Sequence, residues 1–156
     1  MAFLLARDAL NGKEGKAFAT IDGRNVELFG LKKFEANAEF EDAKFAVVGS
    51  RTTQHKPKEM NISGTFTIYY GTPEFIKIAH QYQATGKLPM LTLQVTNEDA
   101  STSVGTQTVA YYGVVLSKIP LSLLDESADF LEEEISFTAS SFEPLSNFNA
   151  PANLGS

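Results

Sequence analysis

The sequence lacks cysteine and tryptophan altogether and contains only two histidines, His55 and His80. Without cysteine there is no disulfide framework, thiolate metal site, iron–sulfur cluster or cysteine nucleophile. The two histidines are too far apart in the chain to form a His-x-x-x-His metal motif. No segment has the spacing of a phosphate-binding loop or of a serine nucleophile elbow. We therefore expect no catalytic residue, no metal and no cofactor, which argues against an enzyme.

Long hydrophobic segments are also missing. The apolar start, residues 1–6, is short and is followed at once by Arg7. That is too little for a signal peptide or a transmembrane helix. We therefore expect a protein that stays in the cytoplasm or is assembled there, without membrane binding of its own. Acidic residues outnumber basic ones by 19 to 13, so the molecule as a whole is not an electrostatic nucleic-acid binder.

Alternation of apolar and polar residues with period two is the dominant pattern, and it predicts strands with two different faces. Asp22-Gly23 between two such runs predicts a tight hairpin turn. The clearest run, residues 60–70, alternates apolar side chains with a polar but uncharged set. The strand at 108–116 is apolar on both faces and needs cover on both sides. The predicted strands span residues 17–21, 25–29, 31–40, 60–70, 91–96, 108–116 and 131–139.

A single helix is predicted over residues 72–86. Thr72 suits the N-cap and Pro73 the first helical position, while Gly86 suits the end. Phe75, Ile78, Ala79 and Tyr82 fall on one face at helical spacing. About seven strands and one helix in 156 residues predict a single, mainly β domain, an antiparallel β-sandwich or partly open barrel with one flanking α-helix.

Three segments are predicted to lie outside the regular core, which is expected to span about residues 11–143. Residues 1–10 and 144–156 are interpreted as terminal arms. Residues 41–58 are interpreted as a long polar loop, and a loop of this length is uncommon unless it is functional.

Charge is unevenly distributed. All 13 basic residues lie within 1–118, whereas residues 119–156 hold seven acidic residues and no basic one. The predicted loop 41–58 contains a stretch with basic residues and no acid. These charges are either two solvated faces or two complementary surfaces that meet head to tail between copies. The second interpretation predicts inter-subunit contacts at Phe45, Arg51, His55, Lys56, Lys58, Asp125, Glu126, Asp129, Glu132 and Glu134.

Several motifs, in this order and spacing, resemble the tail tube proteins of contractile phage tails, in particular those of PBSX-like prophages and R-type bacteriocins. The first is the run from Gly12 to Gly23, and Leu31-Lys-Lys-Phe-Glu-Ala-Asn37 and Val48-Gly-Ser-Arg51 follow. Later matches are Ser63-Gly-Thr-Phe-Thr-Ile-Tyr-Tyr70, the helix start Thr72-Pro-Glu-Phe75, Leu131-Glu-Glu-Glu-Ile-Ser-Phe-Thr138 and Phe142-Glu143.

The resemblance implies hexameric rings that stack into a hollow tube, with the inner sheets of six copies joined into one barrel and a sheath around it. It implies a structural protein of a virion tail or bacteriocin particle, assembled in the bacterial cytoplasm. Its partners are further copies of itself and the sheath, baseplate and tape measure proteins, with non-specific passage of DNA in a phage. The uncharged set Asn61, Ser63, Thr65 and Thr67 is expected to face the lumen.

Two other interpretations remain open at this point. One is a hexameric tube protein of the type VI secretion kind. The other is a stand-alone β-sandwich module that binds a carbohydrate or a peptide. Such a module needs an exposed aromatic platform, for which Tyr69-Tyr70 and Tyr111-Tyr112 are the candidates.

Overall fold

The computed structural model describes residues 15–27, 31–71, 73–100 and 102–149, and these residues form nine strands and one helix. The predicted class, a mainly β antiparallel sandwich with one flanking helix, is confirmed. The described sheets do not close into a barrel. The elements are β1 Gly15–Ile21, β2 Arg24–Glu27, β3 Leu31–Phe45, β4 Gln54–Tyr69, α1 Glu74–Thr85, β5 Leu91–Glu98, β6 Thr106–Tyr112, β7 Val115–Lys118, β8 Glu132–Ala139 and β9 Ser141–Ser146.

The strands form two sheets in which every pairing is antiparallel. The first sheet has the order β2-β1-β5-β6-β9 and the second has the order β3-β4-β8-β7. Each sheet turns one face toward the other, because alternate side chains of a strand point to opposite faces. The second sheet therefore has a core side and an outer side, and the outer side is important for function below.

The core lies between the two sheets and the helix. Phe66 and Phe137 of the second sheet are both almost fully buried, as is Phe75 of α1. Their rings are in contact, with centroids 5.5 Å apart for Phe66–Phe75 and 6.1 Å for Phe66–Phe137. Leu93 of β5 contributes from the first sheet and is completely buried. Aromatic pairs at such distances add stabilisation beyond the area they bury.

Local signals in the sequence correspond closely to the hairpin and the helix. Asp22 and Gly23 both adopt positive φ, 50° and 83°, as the predicted tight hairpin turn between β1 and β2 requires. Gly86 ends α1 in the left-handed region and donates its N–H to the carbonyl of Tyr82 at 2.8 Å. Pro73 occupies the N-cap position, whereas the predicted cap, Thr72, lies outside the described residues. Tyr82, predicted on the buried face, is 53% exposed.

One predicted strand is in fact two. The chain leaves the first sheet after Tyr112 and enters the second at Val115, so residues 108–116 contribute to both sheets. The turn depends on Gly113, whose φ is 63°. The chain crosses back at Ser140, between β8 and β9, and the Ser140 N–H donates to the carbonyl of Tyr112 at 2.9 Å. The two crossings are therefore hydrogen-bonded to each other.

The prediction that residues 41–58 form a loop is wrong for most of its length. β3 and β4 continue as a pair out to Phe45 and Gln54, and only residues 46–53 form the turn. The pairing shifts register between Glu41 and Asp42, which accommodates an extra residue in β4. We call residues 40–60 the hairpin arm.

The prediction of a terminal arm from residue 144 is also wrong at its start. Pro144 and Ser146 belong to β9 and pair with β6. Beyond the strand, Phe148 donates its N–H to the side chain of Gln107 at 3.3 Å, and Asn149 donates to the carbonyl of Val104 at 2.8 Å. The chain up to residue 149 is therefore held against its own first sheet. The predicted arms at 1–10 and 150–156 lie outside the described residues.

In the part of the chain that the structure describes, no helix has the length and apolar character needed to cross a membrane.

Candidate assembly surfaces

The outer side of the second sheet is a polar surface built by alternation along β3, β4 and β8. Phe66, Ile135 and Phe137 point into the core, so their neighbours in sequence point outward. Cross-strand pairing aligns these outward residues in rows, for example Asn37 with Ser63 and Ser63 with Thr138. We call this surface the polar face; it consists of Lys33, Glu35, Asn37, Glu39, Asn61, Ser63, Thr65, Thr67, Glu134, Ser136 and Thr138.

The polar face contains all four residues predicted for the lumen, together on β4. It is not wholly uncharged, because Glu35, Glu39 and Glu134 flank the row on β3 and β8. Glu35 accepts a hydrogen bond from the Asn37 amide at 3.3 Å and lies 3.4 Å from the Lys33 ammonium group. These two contacts, the Asn37 hydrogen bond first, lower the pKa of Glu35 and keep it ionised.

A shallow depression of about 330 Å³ crosses this face at Gly64. A Cβ at position 64 would lie 2.7 Å from the Phe137 ring and 2.3 Å from the carbonyl oxygen of Glu35. Only glycine therefore allows β3 and Phe137 to approach β4 so closely. The depression is lined mostly by hydroxyl and amide side chains, and Glu35 is the one titratable group among its described lining residues.

The hairpin arm extends beyond the rest of the molecule. The last residue of β8 that pairs with β4 is Ala139, opposite Ile62, so among the described residues the arm is a ribbon of two strands. Every residue from 37 to 61 is exposed. The exposed residues include Phe40, Phe45 and Val48, the last of them completely exposed. Two-stranded ribbons are marginal alone in water, and large exposed apolar side chains indicate a contact surface.

The distal part of the arm is strongly basic. Residues 44–58 contain Lys44, Arg51, Lys56 and Lys58 and no acidic residue. All five arm residues predicted to contact another subunit lie in this part and are exposed. Nearer the domain, Glu41 and Glu59 stand directly opposite each other across the two strands. Their proximity raises the pKa of Glu41. The protonated form can hydrogen-bond to Glu59, and it avoids the repulsion between two carboxylates.

An acidic cleft lies at the other end of the second sheet. It is an open cleft of about 740 Å³ between the segment 123–131 and the neighbouring ends of β3, β4 and β8. Its apolar lining is largely exposed: Leu124 is 97% and Phe130 is 76% exposed. Phe130 and Tyr69 pack edge to face, with ring centroids 6.3 Å apart. The cleft is lined by Lys32, Tyr69, Leu123, Leu124, Asp125, Ala128, Asp129, Phe130, Leu131 and Glu132.

The charges of the acidic cleft are fixed by local contacts. Asp125 accepts hydrogen bonds from the hydroxyl and the N–H of Ser127, at 2.7 and 3.0 Å. These bonds, the hydroxyl first, lower the pKa of Asp125. Lys32 forms an ion pair with Glu132, and this contact raises the pKa of Lys32. Among the described residues, Lys32 is the only cation that lines the cleft, and it is already paired with Glu132, whereas Asp125 and Asp129 form no ion pair there.

The structure separates the predicted inter-subunit residues into three places. Phe45, Arg51, His55, Lys56 and Lys58 lie on the hairpin arm, and Asp125, Asp129 and Glu132 line the acidic cleft. Glu126 is exposed beside the cleft. Glu134 lies apart from these and pairs with Thr67 on the polar face. Within one copy the basic and acidic sets are at opposite ends of the second sheet and do not meet.

Sequence reasoning missed the apolar part of the cleft. Leu124 and Phe130 lie in an irregular segment. Without the alternation of a strand or the spacing of a helix, the sequence does not show which of its side chains are exposed. One feature of the sequence does indicate exposure: Leu123-Leu124 directly precedes Asp125-Glu126, and no strand pattern predicts that the leucines are buried. The sequence predicts Lys32 and Tyr69 in strands, where both lie, but only the folded chain shows that these strand ends border the cleft.

One of the two tyrosine pairs predicted as an aromatic platform for a carbohydrate or peptide, Tyr111-Tyr112, does not form one. Tyr111 packs into the core against Phe34 and Phe137, with centroids 6.0 and 6.2 Å away. Tyr112 lies on the other side of β6, where its hydroxyl donates to Glu143 at 3.2 Å. The 111–112 pair therefore offers one ring and not two, which disfavours a binding module at that place.

Comparisons of the sequence with known proteins agree on one family. The family described as "Phage tail tube protein" matches residues 2–146. The chain is 36% identical over 140 residues to the phage-like element PBSX protein XkdM of Bacillus subtilis (strain 168), covering 90% of this chain and 92% of that protein.

Two solved structures share the fold at low identity. One is a chain of the tube-terminating cap of the anti-feeding prophage, with TM-score 0.68, 7% identity and coverage of 92% and 95% of the two chains. The other is a chain of an extracellular contractile injection system sheath–tube complex, with TM-score 0.66, 9% identity and coverage of 88% and 92%.

The family match defines a structural subunit of a phage tail. The chain belongs to the phage tail tube protein family. Its role is structural, and its place is the tail of a phage or phage-like particle.

Proposed function

We propose that this chain builds the inner tube of a contractile tail, in which six copies close a ring and rings stack into a hollow conduit. The observation that carries the proposal is the second sheet, which has one polar side and two open edges. β3, with 15 residues, stands at one edge and pairs only with β4 among the described residues. A long open edge is a liability for a monomer and is satisfied when another copy continues the sheet.

Ring closure follows from joining the two edges. β7, at the opposite edge, has four residues and pairs with β8 alone in the described part of the chain. The β3 edge of one copy is placed beside the β7 edge of the next, so that the sheet runs on around the ring. The core side of this sheet is covered by the first sheet and α1. The polar face is therefore the side that lines the lumen.

The chemistry of the polar face suits a passage for DNA. Hydroxyl and amide groups keep the wall hydrated, and Glu35, Glu39 and Glu134 give it negative charge. Like charge on wall and phosphate prevents tight binding and lets the cargo slide. A sheath around the tube and the baseplate and tape measure proteins are the partners this role requires. The role involves no catalysis, so we propose that the chain is not an enzyme.

The test places a single cysteine on each side of the wall, because the natural chain has none. Ser63→Cys lies on the polar face, and Gln81→Cys lies exposed on α1. In assembled tubes, a maleimide attached to a large polymer is expected to label Gln81→Cys and to spare Ser63→Cys, while a small maleimide labels both. Equal labelling by the polymer reagent, in tubes confirmed by electron microscopy, would place the polar face outside and contradict the proposal.

A further inference from the structure

We propose that the hairpin arm of one copy inserts into the acidic cleft of a second copy in the adjacent ring. The inference rests on the proposed tube, and it names the site at which rings stack. The partner is thus a second copy of this chain, received by the exposed segment 123–131 and the ends of β3, β4 and β8.

The positions of the two surfaces fit a stack that continues without limit. The acidic cleft lies where β3 begins and β4 ends, and the arm lies where β3 ends and β4 begins. From Lys32 to Phe45 the strand spans roughly 43 Å at about 3.3 Å per residue. Two complementary surfaces at opposite ends of one molecule make a head-to-tail contact, which propagates rather than closing as a dimer.

The arm reaches far enough to make this contact. The distance is counted along β4 from Ile62, the last residue that pairs with β8, to Gln54 at the turn. These eight steps correspond to roughly 26 Å. The turn carries Val47 and Val48, which are 44% and 103% exposed. Gly49, with φ 93°, allows the chain to reverse there and presents the two valines at the tip.

Both surfaces carry large apolar side chains that are exposed in the single copy. Leu124 and Phe130 are large and exposed and both line the cleft. Phe45, Val47 and Val48 are exposed at the end of the arm. Burial of such side chains supplies most of the favourable free energy of association. A cleft of about 740 Å³ has room for several of them at once.

The charges of the two surfaces are complementary. The distal arm carries four cationic side chains and no acid, and the cleft presents Asp125, Asp129 and Glu132. Lys32, the one lysine among the described residues that line the cleft, is paired with Glu132. Opposite potentials of this kind fix the register of a contact and suppress wrong partners.

Cysteine crosslinking tests the contact directly in the otherwise cysteine-free chain. Val48→Cys combined with Leu124→Cys is expected to give a ladder of disulfide-linked oligomers when tubes are oxidised. Val48→Cys combined with Tyr82→Cys, on the exposed face of α1, is the matched control and is expected to stop at dimers. Tubes that form with Val48→Cys and Leu124→Cys but give no ladder, or a ladder of equal length in the control, would overturn the proposal.

Charge exchange gives a second readout. Lys56→Glu with Lys58→Glu is expected to reduce the sedimentable tube fraction about tenfold at low salt. Adding Asp125→Lys and Asp129→Lys to the same chain is expected to restore it. Lys77→Glu with Lys87→Glu, two exposed positions on and just after α1, changes net charge equally and is expected to leave the fraction unchanged.

The outcomes separate this proposal from the tube itself. If the unaltered protein forms tubes while charge exchange restores nothing, the arm-to-cleft contact is wrong and the tube stands. If the unaltered protein forms no tubes under any condition that keeps it folded, the proposed function fails, whatever the crosslinks show.

Discussion

Replacing Gly113 by alanine perturbs the point where the chain passes from the first sheet to the second. Its φ is 63°, and the left-handed region costs an L-residue roughly 1–2 kcal/mol. A Cβ there would lie 2.6 Å from the Ser140 Oγ and 2.8 Å from the Ser140 Cβ. Overpacking of this kind costs about 1–3 kcal/mol. We predict that Gly113→Ala lowers the free energy of unfolding by about 2–5 kcal/mol.

Two further variants separate the conformational cost from the clash. Gly23 also has positive φ, 83°, but no atom lies within 4 Å of its hypothetical Cβ, so Gly23→Ala reports the backbone cost alone. Ser140→Gly removes both clashing atoms, and in a double-mutant cycle with Gly113→Ala it is expected to recover the steric part. Urea unfolding of the unassembled subunit measures the free energy of unfolding of the three single variants and of the double variant. A loss for Gly113→Ala no greater than that for Gly23→Ala would refute the reasoning.

Three other predictions concern the core and the arm. Phe137→Ala removes a ring that is 1% exposed and is expected to cost about 3–5 kcal/mol in denaturant unfolding; a cost below 1 kcal/mol would mean that this core does not hold the sheets together. Glu133 is 2% exposed, and no described group is hydrogen-bonded to its Oε2. Burial raises the pKa of Glu133, so the folded state favours its protonated form and loses stability as pH rises through that pKa. Glu133→Gln is therefore expected to raise the thermal midpoint at pH 7 and to change it little at about pH 4, near the ordinary pKa of glutamate; an equal effect at both pH values would contradict the assignment. Deletion of residues 45–56 is expected to leave the far-ultraviolet circular dichroism of a folded β protein and to abolish tubes, and tubes that persist would show the distal arm to be dispensable.

The features that the sequence predicts well are those set by short-range chemistry. Asp22-Gly23 specifies a turn with two positive φ angles, and Gly86 specifies a helix end, whatever surrounds them. The alternation from Ile62 to Ile68 persists because one side of β4 is buried along that length. These signals are enough to predict the class of the fold and the row of β4 residues that share the polar face.

The features that the sequence predicts poorly depend on distant partners. Residues 108–116 alternate without a break, and nothing local shows that the chain changes sheets at Gly113. The polar stretch 41–58 predicts a loop because a ribbon that is exposed on both sides has no reason to alternate, and Pro57 gives no sign of a strand either. Pro57 is tolerated there because β4 is paired on one side only at that position, opposite Asp42 at the register shift. The acidic cleft needs three strand ends and a loop brought together, and only the folded chain shows it.

The measurement that tests the central claim most directly is an electron cryomicroscopy reconstruction of the purified, concentrated protein. We predict hollow tubes of stacked sixfold rings, with Ser63 and Thr65 on the lumen wall and each hairpin arm seated on Leu124 and Phe130 of the next ring. A protein that stays monomeric at every concentration, or a tube whose lumen is lined by the first sheet, would contradict the account.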